Sequence, residues 1–478
     1  MTRLLAAATG ATFWCLAFLA LCGPVCIALA LIVPPGEVAD EGAHLARAAA
    51  LMNGEFVGHR ETLRYADGST HVAAGVRIDP AWDEVTRSRP KSFGGILDAV
   101  EGEPDAQGRV FVPLYTVATY PPFLYLPSAS GLAAGRLLGL PPETCVYLGR
   151  LANATATLVA GLLALAVARR GRPALFAVLA LPMSLSLAAS FNQDGLIVAL
   201  AALAAALLSP RPFAGGGTGP RLSGAILCIA LVALAKPPYA ALAAMLLVPF
   251  PGGRGGLGMG RRLAAAVLAV LPAAIWTVAA TATVATPVPR HAYEAGPLWS
   301  GPRPAPFTAT DPQAQARVLL EDPSRLLTLP GRFLGTAKRL TILAEGAIGI
   351  FGWLDRPLPV PLYLLWAVAL VGPILLADRR NPLPPAAERL VLTAAALACL
   401  WLVILSQYVT WTNVGEIRII GPQGRYLLPL APMLILAFAR LRPQAGPTRR
   451  WPALMPVAAA AVDLVAVPVA AFAMGVPG

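Results

Sequence analysis

The apolar positions come in long blocks rather than at helix or strand spacing. Residues 13–33 form an unbroken run, close to the roughly 20 residues a helix needs to cross a bilayer. Further runs follow at 145–168, 174–190, 196–208, 222–235, 240–250, 263–285, 358–377, 390–408, 425–439 and 453–474. Each is read as a helix, so the pattern predicts an all-α integral membrane protein with about eleven transmembrane helices. Lys236-Pro237-Pro238 separates two short arms. A single long helix through it is the rival reading, but two prolines argue for a break. Residues 123–139 are apolar but carry Pro127, Gly131, Gly135 and Arg136, which reads as interfacial or re-entrant. Residues 340–354 are too short and glycine-rich to span.

Two polar stretches, 34–144 and 286–339, interrupt the runs. The remaining loops are short and dense in arginine: Arg169-Arg170-Gly171-Arg172, Arg211 with Arg221, Arg261-Arg262, Arg379-Arg380, and Arg440, Arg442, Arg449 and Arg450. The positive-inside rule puts those loops, and the N-terminus with Arg3, in the cytoplasm. Both long loops then lie outside. The first run exceeds the usual 7–15 residue core of a signal peptide, so it reads as an uncleaved helix. The whole chain, 1–478, reads as one polytopic membrane domain.

Composition sharpens this reading. Hydrophobic residues are 57% of the chain and charged residues 13%, too few charges to cover a soluble protein of this length. The net charge of +12 lies in the topology-setting loops. No aromatic-interleaved basic patch accompanies it, so nucleic acid is not an expected partner. The six cysteines lie in or beside apolar runs without a CxxC pair, and read as small core residues.

Few polar clusters remain to carry chemistry. Asp40, Glu41, His44 and Arg47 follow the first helix. If they coil, Asp40 and His44 stand four apart, Glu41 and His44 three apart, and Arg47 shares the side. The simpler reading is a solvated helix start, where acids favour the N-terminal dipole. The functional reading makes Asp40 a general base, or Asp40 and Glu41 ligands for Mg²⁺ or Mn²⁺. Asn192 and Asp194 lie between two runs on the same outer side, either as a turn or with Asp194 joining Asp40 at one pocket. Lys236 and Arg425 sit at outer helix ends. They are snorkelling cations or phosphate ligands, Arg425 bidentately. Arg150 is a weaker candidate of the same kind. Tyr120-Pro121-Pro122 is a turn or part of a substrate site.

In this order, Asp40-Glu41-x-x-His44, Tyr120-Pro121-Pro122, Asn192-x-Asp194, Lys236-Pro237-Pro238 and Gln423-Gly424-Arg425-Tyr426 resemble the bacterial multi-pass membrane family called domain of unknown function 2142, over about residues 16–436. That family is similar in layout to the GT-C glycosyltransferases. The resemblance implies a GT-C-like fold in the bacterial inner membrane, Asp40 at the catalytic acidic position with Glu41, His44 and Asp194 beside it, and a polyprenyl-phosphate-linked sugar as donor. Arg47, Tyr120, Asn192, Lys236 and Arg425 would contact substrate. Gly42 departs from the family pattern, where proline is expected. The expected function is an inverting transferase that moves a sugar to an envelope saccharide or lipid acceptor on the outer face. The alternatives are a flippase for a lipid-linked saccharide and a non-catalytic assembly protein. A flippase needs polar residues along a path through the bilayer, whereas Asp463 is the main ionisable group within the later spans.

Overall fold

A computed structural model describes residues 10–64, 70–87, 104–114, 116–209, 219–248, 258–287, 310–377, 381–440 and 451–475. Arg3, Arg211, the Arg379-Arg380 pair, Arg442, Arg449, Arg450 and residues 288–309 of the second polar stretch lie outside the described residues.

The apolar runs are helices. Ala11–Ile32, Pro142–Val167, Met259–Thr283, Ala386–Trp411 and Trp451–Ala473 are long and apolar enough to cross a membrane. Asp194–Leu208, Gly219–Ala235, Pro237–Leu247, Val360–Leu375 and Gly424–Phe438 are shorter apolar helices. Among the described residues, five helices therefore meet the length of a full crossing by themselves. The multi-pass helical architecture stands. The expected run at 174–190 is two helices, Arg172–Ala180 and Pro182–Ala188, because Leu181 before Pro182 takes extended backbone, with ψ 140°. At Lys236-Pro237-Pro238 the α-helix stops and a 3₁₀ turn, Pro237–Ala243, begins. The helix Leu126–Leu137 has only 12 residues, about 18 Å at 1.5 Å per residue and too short to cross. Gly131 and Gly135 let it lie flat on Pro142–Val167. A Cβ on Gly131 would stand 2.4 Å from the Leu148 carbonyl oxygen.

The chain reverses between two ends of the bundle. At one end Arg221 donates to the Val167 carbonyl at 2.7 Å and Arg262 to that of Leu247 at 3.0 Å. Arg440 there reaches the Asn381 carbonyl at 2.5 Å. At the other end the segments beginning at Asp40, Asp194, Lys236 and Arg425 meet. Among the described residues, Arg221, Arg262 and Arg440 thus lie apart from the acidic motif.

The first polar stretch contains a sheet, which corrects the all-α expectation. Strands β1 (His59–Arg64), β2 (Thr70–Ile78) and β3 (Val110–Pro113) pair antiparallel in that order, His59 opposite Gly75 and Ile78 opposite Val110. Buried Ala74, Val76 and Ile78 pack with Leu45, Ala48 and Ala49 of the helix Glu41–Met52. The sheet roofs that helix. Thr286 Oγ1 accepts from the Ala74 amide at 3.0 Å, and Arg60 donates to the Ala285 carbonyl at 2.8 Å. The roof is therefore fastened to the end of Met259–Thr283.

Candidate functional site

Four charged side chains from four distant segments form an alternating chain. Arg425 Nη2 bonds Asp40 Oδ2. Arg425 Nε lies 3.7 Å from Asp194 Oδ2, and Lys236 Nζ 2.5 Å from Asp194 Oδ1. Each cation thus faces an acid and the formal sum is zero. Tyr426 underlies both cations, with Lys236 Nζ 4.5 Å and the Arg425 guanidinium carbon 5.4 Å from its ring centre. Such contacts hold two like charges side by side more cheaply than bare proximity would. Tyr239 fixes this stretch by donating to the Tyr426 carbonyl at 3.0 Å. Arg425 and Asp194 are 3% and 5% exposed, whereas Asp40 is 42% exposed. Asp40 is the open end of the chain.

Local backbone explains these placements. Asp40 has φ 66°, a left-handed conformation rare outside glycine. Its side chain makes no capping bond to the helix it precedes. That argues against a solvated helix start. The preceding turn is pinned from elsewhere: the Ala39 amide donates to the Gly352 carbonyl at 3.1 Å and Trp353 Nε1 to that of Gly36 at 3.0 Å. Contacts from a segment more than 300 residues away hold Asp40 in a strained state. Gly424 permits the approach of Arg425, since a Cβ there would stand 2.2 Å from the Leu343 carbonyl oxygen. Asn192 Oδ1 accepts from the Asp194 amide at 2.9 Å and so starts the helix Asp194–Leu208.

The helix Glu41–Met52 forms as expected, but its polar residues part company. Glu41 is 1% exposed and turns inward to Arg150, with Oε1 and Oε2 accepting from Nε and Nη2 at 2.7 and 2.6 Å. It also accepts from the amides of Gly36 and Phe191. Arg150 binds the carbonyls of Ala30, Val33 and Pro34, which have no helical partner at the end of the first helix. This corrects the expected roles: Glu41 and Arg150 are a structural clamp with no lone pair or donor to spare. Arg47 is structural too, capping the carbonyls of Tyr120, Glu55 and Phe56. His44 Nδ1 pairs with the Tyr125 hydroxyl at 2.6 Å, and its ring stacks beside Tyr120. Burial pushes the His44 pKa down to about 4, so the imidazole is neutral at pH 7. Burial likewise raises the Tyr120 phenol to about 12.

A divalent cation does not fit this donor set. Asp40 and Asp194 face Arg425 and Lys236, and Glu41 is saturated. Among the described residues no group of three or more His, Cys, Asp or Glu is arranged to hold a metal ion. A Mg²⁺ or Mn²⁺ ion would first have to displace a guanidinium or an ammonium.

The family model described as predicted membrane protein (DUF2142) matches residues 24–434. The chain belongs to this family. The match takes in all four members of the DUF2142 protein's charged chain and Gly352 and Trp353, which hold the turn before the first of them. No curated protein and no solved structure matches it. Sequence reasoning missed Tyr125, Tyr239 and Tyr426 as partners of the DUF2142 site. Only Tyr426 left a signal, its place next to Arg425.

Proposed function

We propose that the protein is a membrane glycosyltransferase that moves a sugar from a polyprenyl-phosphate donor to a cell-envelope acceptor at the rim holding Asp40. The observation that carries this reading is the self-neutralised chain Asp40–Arg425–Asp194–Lys236 with one exposed acid. Two clustered cations suit a phosphate, and Arg425 suits it best because its fork matches phosphate oxygens. A donor phosphate on Arg425 competes with Asp40 for the same donors. Binding therefore releases the Asp40 carboxylate where a base is needed.

The reaction is a single displacement. An acceptor hydroxyl oxygen attacks the anomeric carbon, and the bond from that carbon to the phosphate oxygen breaks. Asp40 takes the hydroxyl proton. The electron pair leaves on the polyprenyl phosphate, whose charge is held by Arg425 and Lys236. Preorganised charges of this kind are a large part of many rate enhancements. Neutral His44 adds no competing charge beside Asp40 and orients through Tyr125.

A route through the bilayer has less support. The mid-span acid Asp463 is buried and accepts from Trp366 Nε1 at 2.9 Å, while the four clustered charges meet at one end. Placing that end outside a bacterial inner membrane, with about eleven passages and a cytoplasmic N-terminus, follows the arginine distribution. The test is a deletion strain complemented with wild-type or Asp40→Asn protein, read by analysis of surface polysaccharide and lipid-linked sugars. Normal products from the Asp40→Asn strain at normal protein level refute the assignment.

A further inference from the structure

The loop ending at Asp194 leaves an unusual number of buried amide atoms unpaired. Asn153, Asn192 and Gln193 have no exposed surface. Asn153 Nδ2 donates to the carbonyls of Ala188, Ser190 and Asn192, yet its Oδ1 has no partner. Asn192 Nδ2 has none, and neither does Gln193 at Oε1 or Nε2. Gln423, two residues before Arg425, has an unpaired Oε1. A buried polar group left unsatisfied costs about 1–3 kcal/mol. Folding alone would favour an apolar residue at 193.

The unpaired atoms also say what they would take. They mix donors (Asn192 Nδ2, Gln193 Nε2) with acceptors (Asn153 Oδ1, Gln193 Oε1, Gln423 Oε1). An ionised phosphate only accepts, so it leaves the three oxygens unsatisfied. Hydroxyl groups donate and accept at once. A polyol answers the whole set. Water answers it too, but gives no selectivity.

We infer that the amides of Asn192, Gln193 and Gln423 form a sugar-binding subsite beside the charged chain, which reads the hydroxyls of the glycosyl group on a lipid phosphate. This rests on the transferase reading above and names the part of the donor that its cations do not recognise. Asn192 is already tied to that chain, since its Oδ1 holds the Asp194 amide. Asn192 and Gln193 have no surface of their own, whereas Gln423 is half-buried, so it is the side of the subsite nearest solvent. A site built to bond hydroxyls discriminates strongly, because a ligand without them leaves the amides bare.

The experiment measures dissociation constants in lipid nanodiscs for undecaprenyl phosphate and for its glucose, galactose, mannose and arabinose conjugates. Wild-type protein should bind at least one conjugate about tenfold or more tighter than bare undecaprenyl phosphate. Gln193→Met keeps the volume and removes the amide. It should erase that preference, leave binding of the bare lipid within about twofold, and unfold at a temperature no lower than wild type. Gln423→Met gives a second reading on an independent segment. A preference kept by both folded variants shows that the amides hold water only and overturns the subsite. Equal wild-type binding of all the lipids overturns the subsite and spares the transferase reading. Wild-type protein that binds none of them overturns both.

Discussion

Replacing Asp40 with asparagine should tighten binding of a lipid phosphate while ending turnover. Asp40 and the incoming phosphate compete for Arg425, so removing the internal anion favours the external one. A hydrogen bond between charged groups is worth about 1.5–3 kcal/mol net. Asp40 is 42% exposed, and solvent screening reduces that to about 1 kcal/mol. The expected gain is therefore about fivefold in affinity for undecaprenyl phosphate. The charged chain passes from neutral to +1, so the gain should shrink as salt rises. Sugar transfer should fall by about 10²–10⁴, the usual contribution of a general base. Titration of nanodisc-embedded protein by native mass spectrometry, at low and high salt, reads the first effect. An Asp40→Asn protein that binds the lipid phosphate no better than wild type would show that Asp40 and the phosphate do not share Arg425.

Other outcomes follow from neighbouring residues. Glu41→Gln leaves the buried Arg150 without its counter-charge and should cost about 3–5 kcal/mol of stability, seen as a large drop in melting temperature. A Glu41→Gln protein as stable as wild type would refute the clamp. His44, 4% exposed, is held neutral with its pKa lowered from 6.5 to about 4. Its contribution is present above about pH 6.5 and lost as pH falls through about 4, amounting to about 3 kcal/mol. Melting temperature should fall across that window in wild type and lose this component in His44→Gln. An equal slope in both proteins would assign it elsewhere. A cysteine at Val72, 48% exposed on β2, should react with a membrane-impermeant maleimide on intact cells. Five of the six native cysteines are buried, so their background is small, and protection of the new thiol would invert the proposed topology.

The sequence by itself determined the material and the membrane. Apolar runs at bilayer length can satisfy their backbone only as helices, and the arginines concentrate in the short loops between them. It also supplied Asp40, Asp194, Lys236 and Arg425, because a charge at the edge of an apolar run stands out locally. What each charge does was a tertiary decision. Glu41 adjoins Asp40 in the chain and Arg47 lies seven residues on, yet Glu41 is spent on Arg150 and Arg47 on loop carbonyls. Helical spacing gave all of them one side, and only the packing of 150 against 41 could separate them. The strands at 59–64 and 70–78 sit in a stretch read only as polar, since their buried face needs the helix Glu41–Met52 as a partner before it counts as a core. The left-handed turn at Asp40 depends on Gly352 and Trp353, a constraint with no local trace. Chain-local chemistry selects which residues are able to react, while which carboxylate stays open to solvent depends on partners hundreds of residues away.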